Sequence, residues 1–214
     1  MSLKGIDVSA HNGEIDWQLV KSEGIDFAII RAGYGNDLSQ KDCFFDRNML
    51  GALRAGIPVG CYWFSYATSL SDAQKEAKTC LTVLKPYQDQ ITWPVFFDYE
   101  YDSVRYSREQ GVEPDKTLVT DMAAAFLDAI ASAGYQAGNY SNLDYCRNWF
   151  DLNRLANYPL WFAQYDVNSP SIPCALWQFG GTSVAGCRGN VDTNIAYSNF
   201  GNSTAPVSVE PSKI

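Results

Sequence analysis

The chain is poor in histidine. Among 214 residues there is one, His11. Zinc hydrolases draw two or three ligands from histidine, and a Ser-His-Asp triad would have to rest on His11 alone. The six cysteines, at 43, 61, 80, 146, 174 and 187, contain no CxxC pair, which argues against zinc knuckles and thioredoxin-like motifs. Positive charge is also scarce: 16 Lys and Arg stand against 24 Asp and Glu, a net charge of −8. No basic stripe interleaved with aromatics exists, so nucleic acid is not an expected partner. No apolar run reaches the length of a membrane span. The opening MSLKGIDVS leads straight into a strand pattern and not into a secretion signal, so export by another route, or a signal already removed, is expected.

Apolar and aromatic residues are plentiful, with six Trp, 13 Tyr and 11 Phe. Strand-like and helix-like stretches alternate. KGIDVSA (4–10), DFAIIRAGYG (26–35), IPVGCYWFSYA (57–67) and WPVFFDYE (93–100) read as strands. Between them lie helical patterns at 15–24, 44–56 and 69–85, two stopped by Gly and the third by Pro86. The clearest helix is the Ala-rich stretch 114–134. YQAGNYS (135–141), PLWFAQYD (159–166), CALWQFG (174–180) and GNVDTNIAY (189–197) complete about eight strands. Alternation of this kind predicts a parallel sheet with helices outside it. The connections between 141 and 189 are short, so the expected fold is α/β: a modified, irregular TIM-like β/α barrel with fewer than eight helices. Residues 1–201 are expected to form this domain. Residues 202–214, NSTAPVSVEPSKI, have the composition of a linker.

One strand ends unusually. In WPVFFDYE, alternation places Phe96, Asp98 and Glu100 on one face and Val95, Phe97 and Tyr99 on the other. Carboxylates rarely end a buried run unpaired, because desolvating the ion is costly. In a β/α barrel the site lies at the C-terminal strand ends. There the sequence places Asp7 and Ser9; Tyr62, Phe64 and Tyr66; Asp98 and Glu100; Tyr140; Trp161 and Gln164; Trp177 and Gln178; and Asp192. Four acids ringed by aromatics suit glycoside hydrolysis, which needs a proton for the leaving oxygen and stabilisation of an oxocarbenium-like transition state. No metal or other cofactor is required by this chemistry.

Ordered motifs extend the argument: GIDVSAHNGEIDW (5–17), FAIIRAGYG (27–35), GIPVGCYWFSYA (56–67), PVFFDYE (94–100), GNYSN (138–142), LWFAQYD (160–166), LWQFG (176–180) and VDTN (191–194). In these the chain resembles the glycoside hydrolase family 25 lysozymes, the Chalaropsis-type muramidases. The resemblance implies cleavage of the β-1,4 bond between N-acetylmuramic acid and N-acetylglucosamine in bacterial peptidoglycan. It implies Glu100 as general acid, Asp98 as its partner, and Asp7 and Asp192 as acids that tune the pair. Tyr62, Tyr140, Trp161 and Trp177 would hold sugar, with Phe64 and Gln164 completing the contact set. It further implies an extracellular or wall-located protein, secreted or released as an endolysin. A monomer is expected, with room for a further wall-binding module. Two other readings stay open: a sugar-binding module that kept the barrel and lost catalysis, and a polysaccharide deacetylase. Cys61 reads as a buried free thiol; Cys174 and Cys187 flank a Gly-rich segment and could bridge in an oxidising compartment, two free thiols being the alternative in a reducing one.

Overall fold

The structure, a computed structural model, describes residues 2–201. The linker-like segment 202–214 lies outside the described residues. Eight strands close into one barrel in sequence order: β1 (Leu3–Val8), β2 (Phe27–Tyr34), β3 (Val59–Phe64), β4 (Ile91–Asp98), β5 (Ala137–Asn142), β6 (Leu160–Ala163), β7 (Leu176–Ser183) and β8 (Asn190–Ala196). Six α-helices accompany them: α1 (Trp17–Ser22), α2 (Phe45–Arg54), α3 (Leu70–Leu84), α4 (Tyr101–Glu109), α5 (Lys116–Ser132) and α6 (Leu143–Asn148).

The expected eight-stranded barrel with too few helices is what forms, with one departure. β1 through β7 are parallel, but β8 runs antiparallel to both β7 and β1. The reason is the length of the connection. Parallel neighbours need a crossover of a dozen or more residues. Only residues 184–189 join β7 to β8, so the chain turns back as a hairpin.

Local chemistry explains the helices. Ser69 Oγ accepts the Asp72 N–H at the start of α3, and Asp115 Oδ1 accepts the Leu118 N–H at the start of α5. Each such cap is worth about 1 kcal/mol. α4 was not expected; its entry is the acid pair's own strand end. Glu100 is its N-cap residue, and the Glu100 N–H donates to Ser103 Oγ at 3.0 Å.

Alternation sorts each strand into two cores. The outward residues Ala28, Ile30, Cys61, Val95 and Phe97 pack against the helices, with Phe97 5.2 Å from Phe126 of α5. The inward residues Phe27, Ile29, Phe96, Tyr140, Trp161, Leu176 and Ala196 fill the barrel. Two of these rings have room because the neighbouring strand carries glycine at the paired position. A Cβ on Gly5 would lie 2.3 Å from the Phe27 ring, and one on Gly138 2.5 Å from that of Phe96.

The Cys174–Cys187 bridge does not form. Both thiols are free. Cys174 precedes β7 and packs in a cluster with Cys146 and Phe162, whereas Cys187 follows β7, against the α1 side of the main core. The eight residues of β7 separate them, roughly 25 Å of extended chain. Cys61 is buried and free, as expected.

Candidate active site

The inward-facing positions at the C-terminal ends of β1 and β4 and the opposed start of β8 carry acids. Asp7 lies directly opposite Asp192 in the β1–β8 register, and Phe64 lies opposite Asp98 in the β3–β4 register. Asp98 is buried, only 5% exposed; Glu100, two residues on, is half-buried, and Asp192 is exposed. One sheet edge thus collects three strands' acids, graded from dry to wet.

Asp98 and Glu100 act as one unit. Both carboxyls are raised above their ordinary range, chiefly by burial; for Asp98 the charge of Glu100 comes next. Asp98 Oδ1 is buried and has no hydrogen-bond partner. A buried carboxylate oxygen without a donor is costly, and protonating the carboxyl lessens that cost. The pair therefore holds a proton to a higher pH than free carboxyls do. Burial favours Asp98 as the proton's place in the free protein.

Asp7 is supported differently. Gln178 Nε2 donates to Asp7 Oδ2 at 2.9 Å, and Asn194 Nδ2 donates to the same oxygen at 2.8 Å. Burial, then the charge of Asp192, pushes Asp7 up to about 7 despite these two bonds. The amides continue outward. Gln178 Oε1 accepts from Tyr140 Oη at 3.0 Å and Tyr165 Oη at 2.7 Å, and Asn194 Oδ1 accepts from Trp161 Nε1 at 2.7 Å. One chain of bonds thus ties the aromatic walls on β5 and β6 to an acid on β1. Tyr62 closes the opposite wall, edge-on to Trp161 at 6.0 Å.

One cation faces this edge. Arg31, inward on β2 beside Tyr62 of β3, donates through Nε to Asp42 Oδ2 at 2.7 Å. Asp42 is fixed by the N–H groups of Ala10 and Phe44. The charge of Arg31 opposes the upward shift of Asp98.

The model of the glycosyl hydrolases family 25 matches residues 6–186, most of the chain. The chain belongs to that family. It is similar to Lysozyme M1 of Streptomyces globisporus, 29% identical over 205 residues, which cover 90% of this chain and 67% of that protein. It is also similar to the autolytic lysozyme of Clostridium acetobutylicum, 25% identical over 197 residues, covering 89% of this chain and 54% of that one. Among solved structures, the modular autolysin LytC of Streptococcus pneumoniae superposes with a TM-score of 0.79 at 28% identity, over 92% of this chain and 47% of LytC. The chain thus spans about half to two thirds of the length of these relatives.

Within this family 25 barrel, the expected residues divide. Asp7, Asp98, Glu100, Asp192, Tyr62, Phe64, Tyr140 and Trp161 come together at one end of the barrel. Trp177 and Gln164 do not. On β7 it is Leu176 and Gln178 that face inward, so Trp177 faces out, against Cys146 and Phe162, and its Nε1 donates to the Gln164 carbonyl. The Gln164 side chain turns to the following loop, where Oε1 accepts the Ser171 N–H at 2.8 Å. Gln178, Asn194, Tyr165 and Arg31 join the site instead. Gln178 already stands at this strand end in the sequence reading, and alternation back from Ala196 would have found Asn194. Nothing in the sequence points to Arg31 beyond its place after an apolar run.

Proposed function

We propose that this glycosidase is a lysozyme that hydrolyses the β-1,4 bond between N-acetylmuramic acid and N-acetylglucosamine in bacterial peptidoglycan. The observation that carries the reading is the buried acid pair Asp98–Glu100 at the mouth of an aromatic-walled barrel. Residues 1–201 form the hydrolytic unit. It acts as a monomer at the bacterial wall, because one copy supplies all four acids. A sugar-binding module has no use for a buried carboxyl oxygen left without a partner. A deacetylase would need a metal-ligand set, and the single histidine, exposed in the turn after β1, stands with no such group among the described residues.

Glu100 is the general acid. Being nearer to water than Asp98, it reaches the leaving oxygen, and the pair's proton crosses to it from Asp98 as substrate enters. Asp98, then anionic, orients the 2-acetamido group of the sugar. The acetamido oxygen attacks the anomeric carbon as the glycosidic C–O bond breaks and Glu100 protonates the departing oxygen. An oxazolinium forms, its N–H held by Asp98. Water then opens it, and Glu100 takes back a proton. Asp7 and Asp192 set the field in which the pair holds its proton. Tyr62, Phe64, Tyr140 and Trp161 bind sugar.

Digestion of purified peptidoglycan, borohydride reduction and mass spectrometry test the bond cleaved. Reduced N-acetylmuramic acid at the new ends is expected; reduced N-acetylglucosamine, or loss of acetyl groups without chain scission, would overturn the reading. Asp98→Asn tests the route. The variant should lose most of its rate, and a thiazoline analogue should inhibit the native protein. A glycosyl adduct trapped on Asp98, or a product of inverted configuration, would sink it.

A further inference from the structure

Beside the acid pair lies a second feature that the proposed chemistry does not use. A cleft of ≈ 340 Å³ opens between the ends of β2 and β3 and the first turns of α4, lined by Tyr34, Asn36, Tyr66, Asp102, Arg105 and Tyr106 among others. It adjoins the site through the backbone. The Ser65 N–H donates to the Asp98 carbonyl at 2.7 Å, so Tyr66 stands one residue beyond that bond. Asp102 stands two residues beyond Glu100.

The rings form a path. Phe64, opposite Asp98, lies 5.1 Å from Tyr66. Tyr66 meets Tyr106 edge-on at 5.2 Å and Tyr34 edge-on at 6.1 Å. Tyr34 and Tyr106 are each 37% exposed, so these rings are not sealed into a core. The loop that presents Tyr66 is held from below by a buried acid. Glu76 of α3, 1% exposed, accepts the Tyr66 N–H at 2.8 Å and the Ser65 hydroxyl at 2.5 Å. Burying a carboxyl to fix one loop is costly, and what it fixes is the central ring of the cleft.

The charges select the ligand class. Arg105 is matched by Asp102 at 3.1 Å and Glu109 at 3.9 Å, so the rim sets one cation against two acids and disfavours an anionic ligand. Partly exposed rings with hydrogen-bonding groups at the rim fit a neutral pyranose, whose apolar face lies on an aromatic ring and whose hydroxyls reach the polar groups.

We propose that the Tyr34–Tyr66–Tyr106 cleft is a distal sugar subsite that takes a pyranose of the glycan strand beyond those flanking the scissile bond. This rests on the glycosidase reading above and adds a determinant of chain-length preference. The test is binding of β-1,4-linked N-acetylglucosamine oligomers to Glu100→Gln protein by calorimetry, so that turnover does not interfere. The hexamer should bind more tightly than the dimer. Tyr66→Ala should lower the hexamer-to-dimer affinity ratio about five- to tenfold. Tyr106→Ser, on the exposed face of α4, should lower it in the same direction and guards against loop collapse in the first variant. An affinity ratio that neither variant moves would overturn the proposal. So would a loss of affinity confined to a free wall peptide, which would make the cleft a peptide site. Because binding is read directly, native protein that fails to cut peptidoglycan would refute the lysozyme reading and leave this result standing.

Discussion

Replacing Gln178 with Leu keeps the approximate volume of the side chain and deletes the hub of the amide network. Three hydrogen bonds go: the one to Asp7 Oδ2 and those from Tyr140 and Tyr165. Tyr165 is largely exposed and turns to water at little cost. Tyr140 is buried and loses its acceptor, about 1–2 kcal/mol; a donor lost to ionised Asp7 is worth about 1.5–3 kcal/mol. At pH 8 the variant should therefore be destabilised by about 3 kcal/mol. The pH dependence follows from the sign of the Asp7 shift. Its folded value of about 7 lies above the ordinary 3.8, so between those limits the folded state binds more protons than the unfolded, and stability falls as pH rises. Removing a donor raises the folded value further and extends that loss above pH 7. At pH 5 Asp7 is protonated in the folded protein, and the lost bond is a neutral one worth about 1 kcal/mol. Urea unfolding at pH 5 and pH 8 measures both. A larger destabilisation at pH 8, by about 1 kcal/mol or more, is expected. Equal values at the two pH values, or a total below about 0.5 kcal/mol, would refute the network's role.

Glu76→Gln should flatten the stability profile. Burial pushes Glu76 up to about 8 from an ordinary 4.5, so the native protein loses stability as pH rises through that window, by a few kcal/mol at roughly 1.4 kcal/mol per unit. Gln keeps an acceptor for the Tyr66 N–H and turns an amide donor to Ser65 Oγ in place of the native acceptor, and thermal unfolding at pH 5 and pH 9 should show it gaining on the native protein; parallel profiles would count against a buried titrating acid. Wall hydrolysis should persist in excess EDTA, given one histidine and a carboxylate mechanism; loss on chelation with recovery on adding zinc would contradict it. All six thiols should react with a thiol reagent after unfolding without reductant; a count of four would restore the bridge that the fold separates.

The barrel was legible because period-two alternation and Gly-stopped helical patterns follow each other through β1–β5. The direction of β8 was not, since NVDTNIA reads alike in either direction and only the short 184–189 turn decides it. The helix α4 was hidden because YDSVRYSRE lacks a strong apolar stripe, and it docks mainly through Ser103, Val104 and Ser107. The acids were legible as polar residues closing apolar strands. Trp177 was misplaced because an aromatic near a strand end reads as a sugar platform, and only the inward register of Leu176 and Gln178 turns it outward. Gln178, Asn194 and Arg31 gain their meaning from partners far away in sequence, such as Asp7 and Asp42, which periodicity does not join.

The central claim is that the pair at the end of β4 delivers the proton, and Glu100→Gln tests it most directly. Gln fills the same space at the N-cap of α4, and the Glu100 contact to Ser103 Oγ comes from the backbone, so the unfolding midpoint should stay close to that of the native protein. The rate of clearing a peptidoglycan suspension should fall by about 100- to 10,000-fold. A folded variant that clears walls at near the native rate would contradict the account.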